Sequence, residues 1–252
     1  MSDRSSGGFR VLRCFNDPEL APLSGSHGRI DARTTALFTR DNQVRRVIAA
    51  LAADGLLPLK EVCESFEFFE RVRSAVRAPV VADLAAGHGL TGLLFALFER
   101  EVERVVLVDT HPSPSHLRLL DALCGVAPWV RPKVRWVTGT IEDSPGHLEP
   151  GTSIVAVHAC GVRTDACLDV AQAVGGHVAV LPCCHTRACG GPEALHIALG
   201  HRLASDVHRT YRLEAAGYSV TWSQIPQAIT PMNRILVGLH PGVLDRAGQP
   251  CT

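Results

Sequence analysis

The chain has 252 residues, 25 basic against 25 acidic side chains, 46% hydrophobic residues and nine cysteines. That length suits one large domain or a domain with a small appendage, the apolar fraction argues against disorder, and neutrality removes the broad basic footprint of a nonspecific nucleic-acid binder. No apolar run approaches the roughly 18 residues needed to span a bilayer, and Met1–Gly8 lacks the apolar stretch of a secretory signal, so a cytoplasmic protein is expected.

Residues 1–30 are rich in Gly, Ser, Pro and charge and read as an irregular leader. From about Thr35 to Ala53, and again from Leu59 to Ala78, apolar residues recur at helical spacing, with Asp54-Gly55 as the break. Residues 31–78 therefore read as a helical N-terminal extension, ended by Pro79. Beyond it, short β-rich runs alternate with helix-length segments. The predicted strands are Val80–Leu84, Val105–Val108, Val134–Val137, Ser153–Val157 and His177–Leu181. The predicted helices are Gly92–Glu101, Ser113–Leu123 and Thr164–Ala173. Such alternation predicts an α/β domain over residues 79–245, a parallel sheet with helices on both faces. Ala194–Leu203 has helical spacing. Tyr218–Trp222 and Arg234–Leu239 then follow without an intervening helix, so they are expected to pair antiparallel at the sheet edge and bring the strands to seven.

The passage from the first strand into the next helix runs through Asp83-Leu84-Ala85-Ala86-Gly87-His88-Gly89. Glycines there allow a tight turn and close approach of a ligand to the backbone. The G-x-G-x-x-G of a dinucleotide site is absent, which argues against a nicotinamide-dependent oxidoreductase. Asp83 precedes the glycines, where an acid accepts hydrogen bonds from the ammonium of a bound amino acid and repels a pyrophosphate. This suits S-adenosyl-L-methionine. Asp109 ends the second strand, a position from which an acid accepts both ribose hydroxyls of an adenosine. Gly87 and Gly89 would approach the same ligand. In the loop after the third strand, adenine would sit on Ile141 with Glu142 reading its edge. A solvated strand-end aspartate and an ordinary acidic turn are the competing readings.

Over roughly residues 79–240 these features resemble class I S-adenosylmethionine-dependent methyltransferases, with Ala85 where the family has its first glycine. The resemblance implies a Rossmann-like, mainly parallel seven-stranded sheet and that methyl donor. A more specific pattern is His158-Ala159-Cys160-Gly161-Val162-Arg163-Thr164-Asp165 followed by Cys183-Cys184-His185, with Pro231-Met232-Asn233 before the last strand. It resembles the subgroup that includes methyltransferase-like protein 25 and the tRNA acceptor-stem 2′-O-methyltransferases, which implies RNA as an acceptor. The N-terminal Cys/His zinc modules of the tRNA enzymes are replaced by the helical segment.

The topology implied brings the fourth and fifth strands side by side, so His158, Cys160, Cys183, Cys184 and His185 are expected to converge near the methyl donor. A neutral histidine there can take the proton of a hydroxyl or amine acceptor, with His185 and His158 as candidates. Asp165 would orient a histidine or the substrate, or cap the helix beside Thr164, and Asn233 would hold the substrate by its amide or stabilise its own turn. Cys160, Cys183, Cys184 and Cys189 read as buried packing, as zinc ligands together with His185, or as a reactive thiol beside His185. Against metal, adjacent residues of an extended segment point to opposite sides, so Cys183 and Cys184 are not expected to share an ion. The histidines at 177, 196, 201, 208 and 240 read as surface or helix residues. RNA, a protein side chain and a small metabolite all stand as acceptors, with a metal-binding or redox module as the reading outside methyl transfer.

Overall fold

The computed structural model describes residues 7–185 and 189–242. The leader follows an irregular path with two short 3-10 turns, Arg13–Asn16 and Ala21–Gly25, yet Phe9, Leu12 and Phe15 are buried in the core. Asn16 pins this segment by exchanging two hydrogen bonds with the Phe9 backbone. The helix expected over Thr35–Ala53 is two: α1 (Ala32–Ala36) and α2 (Gln43–Ala53). Each starts at its own side-chain cap. Asp31 accepts from the Thr34 amide and Asn42 from the Arg45 amide, so the Asp-Asn pair at 41–42 restarts the helix rather than continuing it. Next, α3 (Leu59–Val72) stops six residues short of the expected end.

The β-α alternation appears as predicted. The strands are β1 (Val80–Leu84), β2 (Arg104–Asp109), β3 (Val134–Thr138), β4 (Ser153–Ala156), β5 (Val178–Val180), β6 (Ser219–Gln224) and β7 (Arg234–Leu239). They form one sheet in the order β3-β2-β1-β4-β5-β7-β6, with β1 to β5 parallel and β7 antiparallel to both its neighbours. The last strand in sequence is thus wedged between β5 and β6. Side chains alternate between the two faces: Val105 and Leu107 join the core beneath α2, α3, α4 (Leu90–Phe98) and α5 (His116–Val126). Val106 and Val108 join the core beneath α6 (Val162–Val174) and α7 (Glu193–Ala215). This last helix runs well past the expected Leu203, in two segments that meet at Gly200, whose φ of 73° leaves the helical path.

Where α4 leaves β1 the backbones approach closely. A Cβ at Gly92 would lie 2.5 Å from Leu107 Cδ2, 3.0 Å from Val105 Cγ1 and 3.1 Å from the Asp83 Cβ. Alanine normally favours a helix over glycine by about 1 kcal/mol, but here overpacking should reverse the sign. Gly92→Ala is expected to destabilise the protein by about 1–3 kcal/mol, read as a lowered urea midpoint.

A buried ion pair on α3 ties the N-terminal segment to the sheet. The Glu67 carboxylate accepts from the amides of Arg10, Val11 and Leu12 and from the Arg71 guanidinium. Arg71 in turn donates to the carbonyls of Gly8 and of Gln224 at the end of β6. It therefore supplies no surface charge. Arg73 and Arg77 reach Glu99 at 3.3 and 2.9 Å, so these two arginines are paired with a neighbouring acid. Because removing one member of a buried pair strands the other, Glu67→Ala should cost about 3–5 kcal/mol in denaturant unfolding. It should also increase proteolytic cleavage within residues 7–25.

Candidate active site at the carboxyl edge of the sheet

A cleft of about 170 Å³ opens where β1, β2 and β3 end, lined by Ala85, Asp109, Gly139, Ile141, Glu142 and Arg163 among others. Four of the residues singled out in the sequence for the donor thus share one wall. The Asp109 carboxylate is oriented by the Gly87 amide, which donates to Oδ2 at 2.8 Å, and by the Thr110 amide, which donates to Oδ1 at 2.7 Å. Ala85 adopts a left-handed φ of 55°, the conformation that glycine supplies without strain. The two glycines have different tasks. A Cβ on Gly87 would meet nothing within 4 Å, so that backbone faces open space, whereas one on Gly89 would lie 2.8 Å from Leu107 Cδ1. Gly89 therefore serves packing.

Asp83 lies beneath the turn, 3% exposed, with Oδ2 accepting from the Gly92 amide at 2.9 Å in the first turn of α4. A carboxylate there satisfies one of the amides that a helix start leaves unpaired. Burial, reinforced by the nearby Asp109 charge, nevertheless pushes its pKa up to about 7.

A second group of titratable side chains lies between the glycine turn and α3. His88 Nδ1 accepts from the Leu90 amide at 3.0 Å, so its proton sits on Nε2, 3.1 Å from Glu61 Oε2. The nearby His88 ring holds the Glu61 carboxyl below its usual range. The His158 ring stands 6.3 Å from that of His88, centroid to centroid. Its Nε2 is buried without a hydrogen-bond partner, 3.9 Å from the equally unpartnered Glu64 Oε2. Burial raises Glu64 despite its ion pair with Lys60, and burial beside His88 lowers His158. Lys60 continues into a larger open cleft of about 640 Å³, whose walls include Pro22, His27, Ile229, Thr230 and Pro231. Lys60, Glu64, His158, His88, Gly87 and Asp109 thus form an unbroken run of contacts from this cleft to the first.

The other expected residues take different partners. His185 is bonded through Nε2 to Asp206 of α7 at 2.9 Å. The two candidate histidines thus face different helices: His158 lies beside Glu64 of α3 without a hydrogen bond, and His185 is held by Asp206 of α7. Against the cost of burial, His185 and Arg234 keep the Asp206 carboxyl below its usual range. Asp165 is gripped by Arg209 at 2.8 Å and Arg212 at 3.1 Å and orients no histidine. Asn233 donates to the Ile225 carbonyl at 2.9 Å and accepts from the Ile225 amide, closing the turn between β6 and β7. His177 is fully buried and accepts from the His240 amide at 3.0 Å, which corrects its reading as a surface residue.

The opposed-thiol argument is also overturned. The thiols of Cys160, Cys183 and Cys184 lie within 4.8 Å of one another, in irregular chain beyond β4 and β5, where the Gly161 amide donates to the Cys184 carbonyl at 3.1 Å. Cys189 is buried outside this group. Glu61, Glu64, Asp206 and Arg209 were missed in the sequence. Their signal was faint: ionisable residues at helical spacing on faces otherwise apolar.

No protein-family model matches the chain, and no curated protein matches it. Among solved structures it is similar to a protein from Corynebacterium glutamicum, with 16% identity over 82% of this chain and 93% of that one and a TM-score of 0.50. It is also similar to a geranyl diphosphate methyltransferase in complex with S-adenosylmethionine (12% identity, 84% and 96% covered, TM-score 0.48). A third likeness is to Aeropyrum pernix fibrillarin with natively bound S-adenosylmethionine (12% identity, 71% and 74% covered, TM-score 0.45). The chain has the Rossmann-like fold of class I methyltransferases, a seven-stranded, mainly parallel sheet whose last strand in sequence inserts antiparallel between β5 and β6.

Proposed function

We propose that the protein is an S-adenosyl-L-methionine-dependent methyltransferase acting on an oxygen or nitrogen nucleophile. The observation that carries this reading is the Asp109 carboxylate, fixed by the Gly87 and Thr110 amides on the wall of a cleft that also holds Ala85, Ile141 and Glu142. Such a cleft fits an adenosine, with Asp109 accepting its ribose hydroxyls, Ile141 against adenine, and open space at Gly87 for the amino-acid end. The likeness of residues 158–165 and 183–185 to the methyltransferase subgroup named above supports it. When bound, the donor supplies an electrophilic methyl on a sulfonium. The chain orients that donor, keeps water from it and removes the acceptor's proton.

We infer that His158 rather than His185 takes this proton. His158 is adjacent to the glycine turn, and its unpartnered Nε2 faces Glu64, whereas the His185 Nε2 is committed to Asp206. His88 and Glu61 stand beside it as positioning groups. The acceptor would enter through the larger cleft, where the one lysine is already paired with Glu64. That lining, together with zero net charge, favours a protein side chain or small metabolite over RNA, which rests on resemblance. No helix among the described residues is long and apolar enough to cross a membrane.

Three measurements test the reading. Calorimetry should detect S-adenosylhomocysteine, and Asp109→Ala should weaken it at least about tenfold, as loss of charge-assisted hydrogen bonds predicts. No binding, or unchanged binding in the variant, overturns the donor site. His158→Gln should lower turnover by roughly 100-fold or more while leaving that binding within about twofold. Labelled-methyl transfer into fractionated cell extract then reports the acceptor class.

Asp83 yields a pH dependence with a definite sign. Its pKa of about 7 lies above the unfolded carboxyl value, so its contribution to stability is full below about 4 and is lost as pH rises through 7. The arriving ammonium favours the ionised form, with Asp109 and Cys167 the titratable neighbours. Affinity for S-adenosylhomocysteine should therefore climb by up to about tenfold per pH unit below 7, then level, with proton release on binding. Asp83→Asn should abolish both the climb and the loss of ligand-free stability between about pH 4 and 7.

A further inference from the structure

Cys160 follows β4, while Cys183 and Cys184 follow β5. The two loops are joined by the hydrogen bond from Gly161 to the Cys184 carbonyl, and Gly161, at the start of α6, adopts a φ of 63°. Cys160 Sγ lies 2.6 Å from Cys183 Sγ, and all three thiols fall within 4.8 Å of one another. Zinc bound by thiolates at about 2.3 Å in tetrahedral geometry sets its sulfurs about 3.8 Å apart. Small side-chain rotations that part Cys160 from Cys183 bring this group to that spacing. Cys160 and Cys184 are exposed, which gives an ion a path in. Such a dense group of thiols from two loops is more than packing requires. Cys63 and Cys167, which do pack, are each fully buried in an apolar core.

We propose that Cys160, Cys183 and Cys184 form a binding site for a thiophilic divalent cation of the zinc type. Three thiolates bind the ion with release of their protons, and the fourth position of a tetrahedron is taken by water or a donor atom of an incoming molecule. No change of oxidation state is involved. The ion would clamp the loops after β4 and β5 to each other. The proposal does not depend on methyl transfer and is tested without it.

The test titrates the full-length protein, purified under reducing conditions and freed of metal, with zinc and separately with cobalt(II). Expected are one equivalent of tightly bound zinc, displacement of protons, and near-ultraviolet thiolate-to-cobalt charge-transfer absorption with the visible bands of a tetrahedral ion. Cys160→Ser, Cys183→Ser and Cys184→Ser should each weaken binding at least about tenfold, while Cys124→Ser leaves it unchanged. Circular dichroism checks that each variant is folded, and the wild-type cobalt spectrum stands independently of all of them. Absence of the charge-transfer band, or binding indifferent to the three substitutions, overturns the site. So does a reduced protein that takes up no metal and instead forms a Cys160–Cys183 disulfide on exposure to peroxide, as detected by mass spectrometry.

Discussion

The Glu67–Arg71 pair within α3 is the constraint from which the geometry of the site follows. Both side chains are buried, and their hydrogen bonds reach the leader on one side and β6 on the other. A charge placed there leaves α3 little freedom to rotate or slide, since any movement strands an ion in the interior. Glu61, Glu64, Glu67 and Arg71 are three, three and four residues apart, so they form one stripe along the helix. Once Glu67 and Arg71 are locked, Glu61 and Glu64 must face His88 and His158. The helix behaves as a rail whose far end is fixed so that its near end can present two carboxyl groups to the carboxyl edge of the sheet.

Neutrality of the whole chain acquires a local meaning. The opposite charges pair in separate networks, one built on α3 and another around Asp206, which gathers His185, Arg209 and Arg234 at the other face. Arg209, with no exposed surface, spans Asp165 and Asp206 and also donates to the Gly161 carbonyl, so the second network reaches the loop that carries Cys160. Little cationic surface survives this pairing near the larger cleft.

Much of the sheet was legible because its signals are local. Val80–Leu84 and Arg234–Leu239 match their predicted bounds, and the acids Asp83 and Asp109 stand at strand ends where runs of β-branched residues stop. Ala85, Asp109, Ile141 and Glu142 came together because parallel topology alone dictates which loops meet. Features that depend on distant contacts were not legible. The leader looks irregular by composition, yet Phe9, Leu12 and Phe15 find a core built from α2 and α3. His177 carries no local sign of burial; for Asn233 the turn reading, rather than the substrate one, matches its bond to Ile225, and the arginine partner of Asp165 lies 44 residues away. The cysteines were misjudged for a related reason. Alternation governs side chains within a strand, whereas Cys183 and Cys184 lie beyond the end of β5, where the chain is irregular.

The position of β7 has a consequence for how the chain assembles during synthesis. The parallel half of the sheet can form as β1 to β5 emerge, but β6 has no partner until β7 follows, and β5 keeps one edge open for the same interval. The closing hairpin must then dock as a unit, its turn set by Asn233 and Ile225. An unpaired apolar edge is an invitation to the wrong neighbour. With only Val178, Ala179 and Val180, β5 offers a nascent competitor too short a template to hold, so its brevity guards the chain before it serves the finished sheet.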